Sequence, residues 1–377
     1  MRYLLPASFL LLSTAAWADV PRVATDIAPV HSLVSQVMAG VGTPDLTIPP
    51  GASPHSYAMR PSEARALAGA DLVVWVGHAL TPWMGEPIDA LAGDALHLEL
   101  EDVAGTLVLK NRAGVAFEAH DHDEEHDDHA EEEDHDAHEE HEDHDDHADD
   151  DDHADHDDHA NDDGRDDHDD DDDHVDHDDA DGHDDHDGHD DHDDHADDDG
   201  HNHAAGAVDP HLWLDPVNAS LWLGAISDVL GQLDPENAVL YAANAAKGQA
   251  ELSDLQTSIQ AQLTPLQGRP FAVFHDAYHY FEARFGVEAS AALSLSDGSA
   301  PSAARLAEVR EVVQSVKAVC VFTEPQFNPG LVAALAEGGD MKSAPLDPLG
   351  ATLTPGPALY GEVIQGLATS FTECLSE

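Results

Sequence analysis

The sequence predicts an α/β protein of two lobes, each with a parallel sheet flanked by helices, joined by a long helix and broken by a long disordered His/Asp-rich insertion. Three observations carry this. Short apolar runs alternate with longer helical segments on both sides of the insertion, the pattern of parallel strands with crossover helices. A stretch rich in Ala, Leu, Gln and Glu runs from Pro235 to Leu263 between the two halves. The tract from His120 to His203 holds 47 acidic residues, 22 histidines, no aromatic residue and one branched aliphatic, Val175. Such a tract has too little apolar surface to offset chain entropy of ~1–2 kcal/mol per residue, so it is read as disordered when empty.

Taken in order, Val20 to Ala24 reads as a strand and Val30 to Ala39 as an amphipathic helix. Pro61 to Leu67 is helix-like, DLVVWVG (Asp71 to Gly77) a strand, and LHLEL (Leu96 to Leu100) another. Order resumes after the tract at VDPHLWLDP, where His211 lies between a proline and an apolar strand. Asp234 followed by Pro235 is an N-cap with proline at the first helical position, and Thr264-Pro265 ends that helix. At ~1.5 Å per residue this helix is about 40 Å long, suited to a strut between lobes. PFAVFH (Pro270 to His275) is a strand, and HDAYHYFEARFG a helix closed by Gly286. Pro301 to Ser315 reads as a helix, Ala318 to Pro325 and Ser343 to Gly350 as strands running into loops, and Tyr360 to Leu375 as a closing helix.

Charge narrows the partners. The 377-residue chain has a formal net charge of −65, of which the tract with its single basic residue, Arg165, contributes −46. The remaining −19 is ordinary for a globular protein. So acidic a chain is a poor ligand for nucleic acid or anionic membrane, both of which need basic patches, and a good one for cations.

The N-terminus has Arg2, an apolar core from Leu4 to Leu12, and Ala16-Trp17-Ala18 as a cleavage pattern. This is a secretory signal peptide cut after Ala18, too short to span ~30 Å of hydrocarbon, and it places the mature chain in the periplasm without membrane insertion. The two cysteines, Cys320 and Cys374, are read as one disulfide, since a thiolate metal site needs more of them. The organisation is therefore signal peptide 1–18, an N-terminal lobe of 19–119 and 204–234, the tract 120–203, the linking helix 235–264, and a C-terminal lobe 265–377.

With the tract set aside, four plain positions stand out. His55 sits in the turn-rich PPGASPHSYAMRPSEA, His211 in DPHLWLDP, His275 at the end of AVFH, and Asp347 in APLDPLG. Ligands gather at the carboxyl ends of strands in open α/β sheets, which favours His275 and Asp347. Three neutral imidazoles and a carboxylate suit Zn²⁺. Spacing alone does not join them, because they come from four remote segments, and on chemistry alone each histidine reads as a packing or capping residue rather than a ligand.

The segments GASPHSYAMRPSEARAL, ADLVVWVG, HLWLDP, FAVFHDAYHYFEARFG, CVFTEPQF and LDPLG resemble, in order and across nearly the whole mature chain, the ZnuA family of periplasmic zinc-binding proteins of bacterial zinc ABC transporters. The resemblance implies a rigid linking helix, zinc in the cleft between lobes, a monomer, and delivery to a membrane permease. It puts the ligands on His55, His211 and His275, with Asp347 or water completing the shell. Tyr278 and Glu324 flank these positions as hydrogen-bond partners of the kind ligating imidazoles need. The family's His- and acid-rich loop falls on the tract, which becomes a weak zinc collector or sensor.

This chain has Pro54 where some relatives carry a Glu considered as a ligand. Manganese-binding relatives place Glu where this chain has His275, so imidazole here favours Zn²⁺ over Mn²⁺. His279, four residues after His275, is read as a surface or packing residue, and His31, His78 and His97 as structural. Rival readings are a zinc hydrolase, for which no H-E-x-x-H motif exists, and a zinc buffer with no permease.

Overall fold

The computed structural model describes residues 20–112, 114, 206–294, 302–326 and 341–376. The signal peptide and the His/Asp-rich tract lie outside the described residues.

Two four-stranded sheets form, every strand parallel to its neighbours. The first contains β1 (Val23–Thr25), β2 (Asp45–Leu46), β3 (Leu72–Trp75) and β4 (Leu96–Glu99), in the spatial order β2-β1-β3-β4. The second contains β5 (Phe271–His275), β6 (Ala291–Ser294), β7 (Cys320–Thr323) and β8 (Lys342–Pro345), in the order β6-β5-β7-β8. β1, β3, β5 and β6 are buried along their whole length. That is the state of strands covered on both faces, and it explains their continuous rather than alternating apolar runs.

The helices are α1 (Ala28–Val37), α2 (Pro61–Ala68), α3 (Gly85–Leu91), α4 (Pro216–Leu233), α5 (Ala238–Leu263), α6 (His279–Phe285), α7 (Ala303–Ser315) and α8 (Leu359–Leu375). Sequence reading missed α4, an 18-residue helix, although Asp215 caps it through Val217 N at 2.8 Å and Pro216 occupies its first turn. Its interior is apolar on most sides and carries Gly224 and Gly231, so no clean 3.6-residue stripe shows. The short elements β2, α3 and β6 were missed too, and the apolar strand expected after His211 is a single 3-10 turn, Leu212–Leu214.

The linking helix α5 spans 26 residues, about 39 Å. It begins at Ala238 rather than Pro235, since Asp234 folds back to accept from Asn237 Nδ2 at 2.6 Å and from the Tyr241 hydroxyl at 2.9 Å. It packs on α1, α4 and α8, and its buried Tyr241, Leu252, Ile259 and Leu263 join one continuous core with residues of both sheets. The Cys320–Cys374 disulfide is present and ties the first residue of β7 to the last turn of α8. No described helix is long and apolar enough to cross a membrane.

Candidate metal centre

All three candidate imidazoles meet at the carboxyl ends of the strands. His275 is the last residue of β5. His55 lies in the loop between β2 and α2, and His211 immediately precedes the 3-10 turn leading into α4. Each is 3% exposed. The ring centroids of His211 and His275 are 5.0 Å apart, those of His55 and His211 5.7 Å, and those of His55 and His275 6.3 Å. Three imidazoles on one tetrahedral ion, with N at 2.0–2.1 Å, would hold their centroids about 5 Å apart. His211 and His275 already stand at that spacing and His55 about 1 Å wide of it. Accordingly, no three His, Cys, Asp or Glu side chains among the described residues form a closed ligating group.

A carboxylate backs one of the rings, and a second carboxylate faces another at longer range. His211 Nδ1 lies 2.8 Å from Asp209 Oδ1, which also accepts the His211 backbone N–H at 3.0 Å. Burial alone would raise the Asp209 carboxyl, but hydrogen bonds from His211 and His279 hold it well below the usual carboxylate range. An ionised carboxylate only accepts, so Nδ1 of His211 is the donor in this bond. His275 Nδ1 faces Glu324 Oε1 at 3.7 Å, and Glu324 is 5% exposed just past the end of β7. Tyr278 is buried beside Glu324, and burial followed by the Glu324 charge pushes its phenol well above the ordinary value. Sequence reading singled out Glu324 and Tyr278 but missed Asp209, whose signal was its position two residues before His211.

Asp347 follows β8, is half-buried, and accepts the Leu349 backbone N–H at 3.3 Å. Its charge reaches Tyr278, three residues after His275, and helps to raise that phenol. Its neighbour Pro348 does meet the cluster's surroundings, accepting a hydrogen bond from Trp213 Nε1 at 2.8 Å, while the Trp213 ring lies 5.4 Å from that of His211. Pro54, for its part, presents its carbonyl to Trp83 Nε1 at 2.7 Å, which anchors the His55 loop.

The chain entering and leaving the tract forms a short antiparallel stem beside the cluster. Asn111 N donates to Ala207 O at 2.8 Å and Asp209 N to Leu109 O at 3.0 Å. The Tyr280 hydroxyl joins both arms, accepting from Leu109 N and donating to Asp209 O, each at 2.9 Å. Arg112 then reaches into the second lobe, bonding Glu282 at 2.6 Å and both oxygens of Asp276, the residue after His275. Among the described residues, His31 bonds Pro44 O, His97 bonds Ala92 O, and His78 packs edge-on against Trp75.

Two parallel sheets with three imidazoles gathered at their carboxyl ends fit the class of metal-binding solute-binding proteins. The periplasmic zinc binding protein TroA from Treponema pallidum has the same fold, with a TM-score of 0.64 over 95% of this chain and 99% of that one, at 18% identity. The chain belongs to the ZnuA family: the profile of the zinc-uptake complex component A, periplasmic, matches residues 23–374. It is 42% identical to the high-affinity zinc uptake system protein ZnuA of Paracoccus denitrificans (strain Pd 1222), over 98% of each chain. It is 40% identical to the protein of that name from Brucella suis biovar 1 (strain 1330), over 94% of this chain and 92% of that one. It is thus a periplasmic binding component of zinc uptake.

Proposed function

We propose that the chain captures Zn²⁺ with high affinity through His55, His211 and His275, with Asp347 or water as fourth ligand, and delivers it to an ABC permease. The observation that carries this is the meeting of three buried imidazoles, one of them hydrogen-bonded to a buried carboxylate. Backing of that kind fixes the tautomer and raises the basicity of a ligating ring. An all-imidazole trio suits Zn²⁺ better than the harder Mn²⁺. The His55 loop closes the last ångström on the ion, and its reopening against the permease releases the cargo.

The tract from His120 to His203 acts in this reading as a low-affinity collector or sensor, raising the zinc concentration near the tight site. Export with cleavage after Ala18 brings the mature protein to its permease.

Titration of the full chain with Zn²⁺ and Mn²⁺ against a chelator tests the reading. One tight Zn²⁺ site should stand above many weak ones, and His275→Ala should weaken the tight site by more than roughly 100-fold, beyond the usual effect of losing a supporting partner. Tight binding that survives His275→Ala unchanged sinks the assignment.

A further inference from the structure

Helix α6 follows β5 closely, and its side chains reach across to the segment that carries His211. Tyr280 donates its hydroxyl to Asp209 O at 2.9 Å. Arg284, one turn further on, places Nε 2.8 Å from Asp215 Oδ1 and Nη2 2.6 Å from Asp215 Oδ2. Such a two-point fork fixes direction as well as distance. His211 is thus held on both sides. Asp209 lies two residues before it, and Asp215 ends the 3-10 turn after it, which the Leu214 N bond to His211 O closes at 3.1 Å. An anchor of the His55 loop lies in the first lobe, where Trp83 Nε1 donates to Pro54 O at 2.7 Å. The ring spacings follow the same division. His211 and His275 stand 5.0 Å apart, while His55 stands 5.7 and 6.3 Å from them.

We propose that Arg284 is a positioning residue of the metal centre: through Asp215 it sets His211 against His275, so that two ligands stand as a pair before the third arrives with the His55 loop. The proposal rests on the trio being the tight site. Capping α4 occupies Asp215 Oδ1 through Val217 N at 2.8 Å, and that bond needs no cation. The Arg284 fork takes both oxygens of the same buried carboxylate and ties them to the helix that follows His275. Tyr280 repeats the tie from the same helix on the other side of His211. A pair fixed before the ion arrives loses less freedom on binding, which is how preorganisation gains affinity.

The test is a pair of mutant cycles on the full-length chain, with Zn²⁺ as the probe and chelator competition as the measure. Tryptophan emission reads the cluster rather than the tract, because the Trp213 ring lies 5.4 Å from that of His211 and the tract holds no tryptophan. Arg284→Lys keeps a charge for Asp215 but loses the planar fork. It should weaken the tight site roughly tenfold, the low end of what losing a supporting partner costs. In a His55→Ala background the same factor should remain, since the pair is intact. In a His275→Ala background it should shrink to within about twofold, since the spacing that Arg284 sets no longer matters. An effect of equal size in both backgrounds is what a purely structural tie gives, and it overturns the proposal. So does an effect confined to the His275→Ala background, or none at all. Tyr280→Phe removes only a hydroxyl and should give the same pattern; it takes the place of Arg284→Lys if that variant loses the parent's circular dichroism. Tight binding that survives His275→Ala overturns the tight-site reading itself, whereas the other failures leave it standing.

Discussion

The two sheets place their strands in the same order, so β1 and β5 occupy equivalent positions, yet the residues at their carboxyl ends do opposite work. β1 is followed by Asp26, whose two oxygens accept the backbone N–H groups of Ile27 and Val76, each at 2.7 Å. β5 ends in His275, whose imidazole faces the two other rings of the cluster. One strand end therefore holds the first sheet together, and the other turns its side chain toward two further imidazoles. The lesson is that the carboxyl-end rule locates a place, while the partners of each side chain decide whether it serves fold or function. The second sheet can release its strand end to chemistry because other bonds hold it: the disulfide, and Arg112 on Asp276.

The largest test of that contrast removes the disulfide. Closing a loop with a sequence separation of 54 is worth about 4 kcal/mol by the chain-entropy account. Cys320→Ser with Cys374→Ser should lower metal-free stability by about that amount in urea unfolding. The rings of Phe271, Phe322 and Phe371 lie 4.7–5.5 Å apart beneath the bridge. A loss below about 1 kcal/mol would mean that this packing suffices and that the covalent tie does not set the second sheet apart.

Asp26 gives the next effect, with a pH signature. Burial pushes its carboxyl up to about 7, outweighing the two amide donors that favour the charged form. A carboxyl raised by folding contributes stability that is complete below its unfolded value, near 4, and is lost as pH rises toward 7. Asp26→Asn sets an amide NH₂ against one of the two N–H groups and should cost about 1–3 kcal/mol. The difference between parent and variant should be larger at pH 4.5 than at pH 7.5 in metal-free urea unfolding. A difference that grows with pH would show Asp26 ionised throughout and its two amide bonds dominant.

Much of this arrangement was legible because it is local. The apolar runs of β1, β3, β5 and β7 and the Pro61 and Gly286 helix boundaries all reside in short windows, and the cysteine pairing follows from there being only two. What was hidden depends on packing. α4 shows little polar face because α1, α5 and the preceding 3-10 turn pack against it and its outer positions include Leu221. The 3-10 turn after His211 exists because Trp213 and Leu214 are held from elsewhere, Trp213 by Pro348 at a sequence distance of 135. The histidine trio was visible through family likeness, never through spacing, since residues 55, 211 and 275 meet only in three dimensions. Asp209 and His279 lie in motifs already under scrutiny, but the sharing of Asp209 by His211 and His279 is a fact of geometry alone.

The smallest effect tests whether ion pairs at the strand ends matter by presence or by burial. At the amino end of β1, Arg22 meets Asp71 through its backbone N–H at 2.8 Å and its guanidinium at 3.1 Å, with the side chains 65% and 42% exposed. Near the metal centre, Arg284 holds Asp215, which is wholly buried and also caps α4. An exposed pair in high dielectric is worth ~0.2–1 kcal/mol and is screened by salt. Arg22→Ala keeps the backbone donor on Asp71 and should therefore cost about 0.5 kcal/mol in urea unfolding, falling toward zero in 1 M salt. Because hydrogen bonding to Arg22 depresses the Asp71 carboxyl, the small contribution is present above its unfolded value near 4 and lost as pH falls below it. A salt-independent loss above about 1 kcal/mol would mean that this pair closes the first sheet as the disulfide closes the second, and the two sheets would then differ only at their carboxyl ends.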